Sequence, residues 1–304
     1  MTGYDIIGDI HADAEGLQHL LTELGYRGPD FTHPDGRVPI YLGDFIDAGP
    51  QNRKAIEIIQ KTMKNGAESV LGDREFKAVC YARQNIPGDI RPDTFKNATE
   101  HAGFLEEYPY GTPAYNGVID WFEKLPVYIQ KPGFKVIHAC WHENALNVCM
   151  PHIRKKDGVL KESAYQAYDT ENSAAFTDAL DILLNGPRYN LPKGGTYIGS
   201  NGMPGKEAGI LWWKDNALRP HKRIEKGERV SRFLSPDDKK TVVRLKNEFN
   251  YALKDTVFIG HFVISNPRNI LSPKVACLSF KGSMIAYRWN HGDKRLDPAR
   301  LVWR

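Results

Sequence analysis

The chain has 304 residues, 41% hydrophobic, 11% aromatic and 26% charged, a balance that excludes a disordered, collagen-like or coiled-coil protein and leaves room for one large core or two modest ones. Lys and Arg number 41 against 37 Asp and Glu, and the net charge of +4 is too small to mark a nucleic-acid or membrane surface. The four cysteines, Cys80, Cys140, Cys149 and Cys277, form no CxxC pair and are too few for a disulfide framework, which points to reduced thiols and away from sulfur-bound zinc.

Residues 4–10 (YDIIGDI) read as a short strand ending in Gly-Asp, and Leu17, Leu20, Leu21 and Leu24 then share one helical face. The unit repeats: 38–42 (VPIYL) runs into Gly43-Asp44, and Ile56, Ile59 and Met63 carry a second amphipathic helix ending near Gly66. A third run, 69–71, reaches Gly72-Asp73 before a helical pattern over 75–83. Three strand, Gly-Asp, helix units argue for an α/β layered fold with Asp9, Asp44 and Asp73 converging at the carboxyl ends of the strands. Residues 85–115, rich in Pro, Gly, Asn and Tyr with one helical pattern over 99–107, read as an insertion over the core.

A helix is expected over 119–125, then a strand pair at 127–129 and 135–139, the second running into His138. Residues 143–256 form a larger, mixed insertion with helices over 174–184 and 237–253 and a Gly-rich loop over 194–209. Strands resume at 256–259, which ends in Gly260-His261, and 275–280 and 283–289 read as a hairpin. One domain spanning 1–304 with insertions at about 85–115 and 143–256 is the expected organisation. No apolar run reaches the ~18 residues of a membrane span and no signal peptide is evident, so a mature cytoplasmic protein beginning at Met1 is expected.

Carboxylates and imidazoles gather at strand ends: Asp9 and His11, Asp44 and Asp47, Asp73, His138 and His261. That donor set suits a pair of divalent transition metals, and phosphoester hydrolysis is the reaction a two-metal site fits. GDIHA, YLGDFIDAGP, VLGDREF, VIHACWH and FIGHFV, in this order, resemble the five motifs of the calcineurin-like metallophosphoesterases. Within them the likeness is to the bacterial branch that resembles serine/threonine protein phosphatases and diadenosine tetraphosphatases. The resemblance implies a four-layer sandwich of two central mixed β-sheets flanked by helices. It also implies hydrolysis of a phosphate ester by hydroxide on two metals (Mn, Fe, Zn or Co). Asp9 and His11 would bind the first metal, Asp44 would bridge, and Asp73, His138 and His261 would bind the second.

Three positions depart from the family pattern. Arg74 stands where the family has its catalytic His, Ala48 where it has a phosphate-gripping Arg, and Asp73 where it has a ligating Asn. An Arg is a poor proton donor. Arg74 is therefore expected to replace the missing phosphate clamp, paired with Asp47, while its charge offsets that of Asp73. The competing expectation is a weakened relative that binds metal and a phosphorylated ligand or protein without efficient turnover. Arg53 and His142 are further substrate-binding candidates, and His101 and His142 are substitute proton donors. The substrate can be a small molecule, a nucleotide or a protein.

Other features read as structure. Residues 199–206 fail as a P-loop because Ser200 replaces its first Gly and Glu207 its Ser or Thr. The basic residues of 219–223 and 239–246 interleave with acids as a solvated face, and Trp212, Trp213, Trp289 and Trp303 read as packing residues.

Overall fold

The computed structural model describes residues 3–83, 101–168, 171–191, 197–198, 204–205, 207–214, 235–249, 253–264, 266, 270–280 and 282–303. The chain divides into two compact units, Met1–Leu184 with Asp255–Arg304, and Asn185–Lys254. The insertion expected at 143–256 thus divides at Leu184, its first part belonging to the larger unit. The expected features at 85–100 and 219–223, and most of the loop at 194–209, lie outside the described residues.

The larger unit begins with β1 (Gly3–Ile7), α1 (Ala14–Glu23), β2 (Val38–Tyr41), α2 (Asn52–Lys64), β3 (Glu68–Ser69) and α3 (Asp73–Ala82). It continues with α4 (Ala102–Glu107), α5 (Pro113–Phe122), β4 (Tyr128–Lys131), β5 (Phe134–Ile137), α6 (Glu143–Cys149), α7 (Glu162–Ala167) and α8 (Ala174–Asn185). The smaller unit holds β6 (Arg188–Asn190), β7 (Tyr197–Ile198), β8 (Pro204–Gly205), β9 (Glu207–Gly209) and α9 (Pro236–Phe249), with β6 antiparallel to β9 and β7 to β8. The larger unit closes with β10 (Thr256–Ile259), β11 (Val275–Cys277), β12 (Ser279–Phe280), β13 (Ser283–Asn290) and β14 (Leu301–Trp303).

Two mixed sheets result. One has the order β12-β13-β1-β2-β3 with β14 also paired to β13, and the other has the order β11-β10-β5-β4. Alternation along each strand turns one set of side chains inward, so that Ile6, Ile40, Ile285 and Tyr287 of the first sheet share a buried cluster with Ile129, Val136, Phe258 and Ala276 of the second. The rings of Phe134, Phe258 and Trp289 meet across this core, with Phe134–Trp289 centroids 5.2 Å and Phe258–Trp289 centroids 5.8 Å apart. On the opposite face of the first sheet, the Tyr41 hydroxyl bonds to Thr62 Oγ1 of α2 at 2.8 Å, and α1 buries Leu17, Leu20 and Leu21. The α/β layering is that expected from the strand and helix units, and the two packed mixed sheets are those the resemblance implies.

Local chemistry sets the helix starts. Asp13 Oδ1 accepts the Gly16 N–H at 2.8 Å at the head of α1, and Thr112 caps α5 with Pro113 in its first turn. One expectation needs correction. The hairpin forms with only the end of the run 275–280: Ser279–Phe280 pairs antiparallel with β13 in the first sheet, whereas Val275–Cys277 joins the second sheet beside β10. The chain changes sheets at Leu278, whose 1% exposure places it in the shared core; a continuous apolar run does not reveal such a crossing. Among the described residues no helix is long and apolar enough to cross a membrane.

Candidate metal centre

Five strands of the two sheets deliver side chains to one end of the sandwich. β1 ends at Ile7, and in the turns beyond the strands His11, Asp44, Asp47, Ala48 and His261 all have left-handed backbones, with φ of 50°, 52°, 64°, 65° and 58°. Each such residue costs about 1–3 kcal/mol and persists only when its surroundings over-determine it. Here they do. Ile10 and His11 N–H both donate to the Asp44 carbonyl at 3.0 and 2.9 Å, the Asp47 N–H donates to Asn52 Oδ1 at 2.8 Å, and the His261 N–H donates to Asp9 Oδ1 at 3.2 Å. Gly260 permits the last approach, since a Cβ there would lie 2.1 Å from Asp9 Oδ1.

Two groups of donor atoms form. Asp9, His11 and Asp44 make one and Asp73, His138 and His261 the other, the atoms of each group within 4.8 Å of one another. They adjoin, because His138 Nε2 lies 3.4 Å from Asp44 Oδ1 and 3.3 Å from Asp73 Oδ1. His261 Nδ1 lies 3.1 Å from the same Asp73 oxygen, and His11 Nε2 lies 3.8 Å from Asp9 Oδ2. His138 Nδ1 donates to the Leu42 carbonyl at 2.6 Å, which fixes the ring so that Nε2 faces the carboxylates, as in metal sites with an oriented imidazole. The six residues that the resemblance implies as ligands are all brought together.

The electrostatics suit a cation. Burial, then the neighbouring Asp73 charge, pushes Asp44 up to about 6. Burial works to lower His138, but Asp44 and its contact with Asp73 outweigh it and raise the imidazole to about 10. Asp73 moves the other way: burial is outweighed by Lys77 and by the bonds to His138 and His261, and the carboxyl falls well below the usual range. Lys77 Nζ lies 2.6 Å from Asp73 Oδ2, so the extra negative charge at position 73 is met by the lysine one helical turn on. Asp9 Oδ2 and His11 Nδ1 are buried without a hydrogen-bond partner. Oxygen and imidazole donors, unsatisfied atoms and clustered carboxylates together fit divalent transition metals.

Arg74 faces both carboxylates of the Asp44 loop, with Nε 3.7 Å from Asp44 Oδ2 and Nη1 3.7 Å from Asp47 Oδ2. Burial acts to lower this guanidinium, and Asp44, Asp73 and Asp47 more than reverse it. His101 Nδ1 lies 2.7 Å from Asp47 Oδ2. Arg53 lies instead over the Tyr108 ring, its guanidinium carbon 4.4 Å from the centroid, and contacts the Glu107 carbonyl. His142 caps α6, its Nδ1 accepting the Ala145 N–H at 3.3 Å. Neither belongs to the two donor groups.

Glu75 is a site residue that sequence reasoning missed. It is fully buried, and its two oxygens each accept a backbone N–H at 2.8 Å, from Asp44 and from Phe45. Burial and the charge of Asp44 push it up to about 8, against the pull of those two bonds. The signal was an acidic residue sharing one face of α3 with Val79, an apolar stripe on which a carboxylate needs a buried partner.

No family model matches the chain. The chain is 39% identical over 64 residues to the bis(5'-nucleosyl)-tetraphosphatase PrpE [asymmetrical] of Halalkalibacterium halodurans, covering 20% of this chain and 26% of the relative. The enzyme of the same name from Bacillus thuringiensis (strain Al Hakam) is 43% identical over 58 residues, 18% of this chain and 24% of the relative. The chain thus spans about a quarter of the length of the curated relatives it matches. Among solved structures, a putative diadenosine tetraphosphatase aligns over 100% of this chain and 94% of its own at 16% identity and a TM-score of 0.44. A serine/threonine phosphatase from Saccharomyces cerevisiae with similarity to human PP5 aligns over 100% and 79% at 16% identity and a TM-score of 0.48. The sequence matches agree with the motifs: the chain resembles the calcineurin-like metallophosphoesterases in their tetraphosphatase-like branch.

Proposed function

We propose that the chain is a metal-dependent phosphoesterase that hydrolyses a phosphate ester. The observation that carries the reading is the pair of adjoining donor groups, linked through His138 and Asp44 at 3.4 Å. Asp9, His11 and Asp44 would hold one divalent ion, and Asp44, Asp73, His138 and His261 a second, drawn from Mn, Fe, Zn or Co. Bound there, such ions supply Lewis acidity to the phosphate and lower the pKa of a water molecule.

The chain's own groups do the rest. Arg74, part-buried and aimed at the Asp44 loop, holds the non-reacting phosphate oxygens, a task its planar fork of donors suits. Asp47 holds Arg74. Beside Asp9 and His11 a cleft of about 440 Å³, lined also by Ala48, Gly49, Phe280 and Met284, takes the organic part of the substrate. Ala48 leaves this cleft open where an arginine would fill it. With a guanidinium in place of a proton-donating imidazole, esters with good leaving groups should be preferred over alkyl phosphates by about 10²–10⁴-fold. The names of the sequence relatives make a dinucleoside tetraphosphate the first natural substrate to test, and a cytoplasmic setting accords with four buried thiols.

The test is hydrolysis of an aryl phosphate and of diadenosine tetraphosphate with added Mn²⁺, beside an Asp44→Asn control and elemental analysis. Turnover abolished in the control is expected. Two bound ions without turnover would make the protein a metal-dependent binder of phosphorylated ligands, and no bound ion would overturn the site.

A further inference from the structure

The guanidinium of Arg74 is held at a distance. Its nitrogens stand 3.7 Å from Asp44 Oδ2 and from Asp47 Oδ2, longer than a direct hydrogen bond, so its direction depends on where those carboxylates are fixed. Asp44 is fixed by its place between the donor groups. Asp47 has its anchor in His101, which is 2% exposed and meets the same Oδ2 at 2.7 Å. The opposite end of the following helix grips the same turn: Glu107 Oε1 accepts the N–H and the Nδ2–H of Asn52 at 2.6 and 2.9 Å, and its Oε2 accepts the Arg53 N–H at 2.9 Å. Asn52 in turn accepts the Asp47 N–H at 2.8 Å. Helix α4 is therefore tied to the 47–53 turn at both ends, by His101 and by Glu107.

We infer that His101 is a positioning residue of the phosphate site, holding Asp47 so that Arg74 stays extended toward substrate. This rests on the reading of Arg74 as the phosphate clamp. Without the imidazole N–H, the Asp47 carboxylate has Arg74 as its nearby cation and closes on it to direct hydrogen-bonding distance, withdrawing the guanidinium from phosphate. Because Arg74 holds phosphate in substrate and transition state alike, the loss appears in KM and not in kcat. His101 acts through Asp47 and takes no part in proton transfer to the leaving group.

The experiment compares His101→Leu and His101→Asn in the metal-loaded full chain, each alone and combined with Arg74→Ala, using an aryl and an alkyl phosphate and inorganic phosphate as a calorimetric ligand. His101→Leu is expected to raise KM and the phosphate Kd about tenfold with kcat little changed. His101→Asn, whose amide can donate to Asp47, is expected to recover most of that, and His101→Leu is expected to add nothing in the Arg74→Ala background. A kcat loss confined to the alkyl ester and shared by His101→Asn would make His101 a proton donor and overturn the inference. Equal KM in all His101 variants would overturn it too, as would additive losses with Arg74→Ala. Wild-type protein that binds phosphate without turnover would sink the hydrolase reading alone, the inference then being read from the phosphate Kd; wild type that does neither would sink both.

Discussion

Gly260→Ala puts the proposed centre under a purely steric load. The φ of Gly260 lies outside the left-handed region, so alanine meets no backbone penalty there, and the whole effect comes from the added methyl. That methyl would lie 2.1 Å from Asp9 Oδ1 and 3.2 Å from its Cγ, with Leu42 Cβ at 3.4 Å closing the other side. Relief to ordinary contact requires the Asp9 carboxylate or the end of β10 to move by about 1.3 Å. Either motion breaks the bond from the His261 N–H to Asp9 Oδ1 at 3.2 Å and separates a donor of the first group from one of the second. A displacement of about 1 Å at reacting groups costs about 10²-fold in rate, and overpacking costs about 1–3 kcal/mol in stability. Gly117→Ala is the matched control: it sits in α5 with open space around it and should stabilise by about 0.5–1 kcal/mol. Metal content after dialysis, kcat/KM on an aryl phosphate and thermal unfolding read the outcome. Gly260→Ala protein that keeps two ions and wild-type turnover would show that Asp9 is not held against the His261 turn as described, and the reasoning would fail.

Two further outcomes follow from the buried charges. Glu75→Gln exchanges one of two acceptors for a donor, so the N–H of Asp44 or Phe45 faces an amide N–H in a dry site; the cost of about 1–3 kcal/mol should lower Tm by about 4–8 °C and reduce metal retention, and unchanged unfolding would refute the bracing role. Metal binding should release protons, because His138, raised to about 10, is largely protonated at pH 7 and Asp44, raised to about 6, joins it at lower pH. Calorimetry in buffers of different ionisation enthalpy should find about one proton released in filling the whole site at pH 7–9 and about two below pH 6, with affinity rising with pH. Since both folded-state values lie above the unfolded ones, each group's stabilisation of the metal-free protein is present at low pH and lost as pH rises, through about 6 for Asp44 and about 10 for His138.

What the sequence made legible were features with a local period. The Gly-Asp strand ends at Asp9, Asp44 and Asp73 follow apolar runs of strand length, and His138 and His261 close two more, so convergence could be read without coordinates. Lys77, one turn from Asp73, is equally local, yet only Arg74 was read as the counter-charge. His101 could be named but not placed, because its partner Asp47 lies 54 residues away and nothing in the spacing of either reports that pairing. Glu75 was hidden for a related reason: a carboxylate in a first helical turn usually serves the helix dipole, and only the fold shows that its bonds go to the Asp44 loop. The crossing at Leu278 was illegible because residues on both sides of it are buried and extended alike.

The two donor groups differ in a way that concerns mechanics as well as chemistry. Asp9, His11 and Asp44 all follow strands of the six-stranded sheet, β1 and β2, whereas the second group joins Asp73, beyond β3 of that sheet, to His138 and His261, beyond β5 and β10 of the other. An ion in the first group would tighten one layer; an ion in the second would lock two layers whose shared core is apolar and non-directional and whose direct ties at this end include the bonds from His138 to the Leu42 carbonyl and from the His261 N–H to Asp9. Filling the second position should thus make the sandwich resist shear between its sheets, and hydrogen exchange at the ends of β5 and β10 should slow more on filling it than on filling the first.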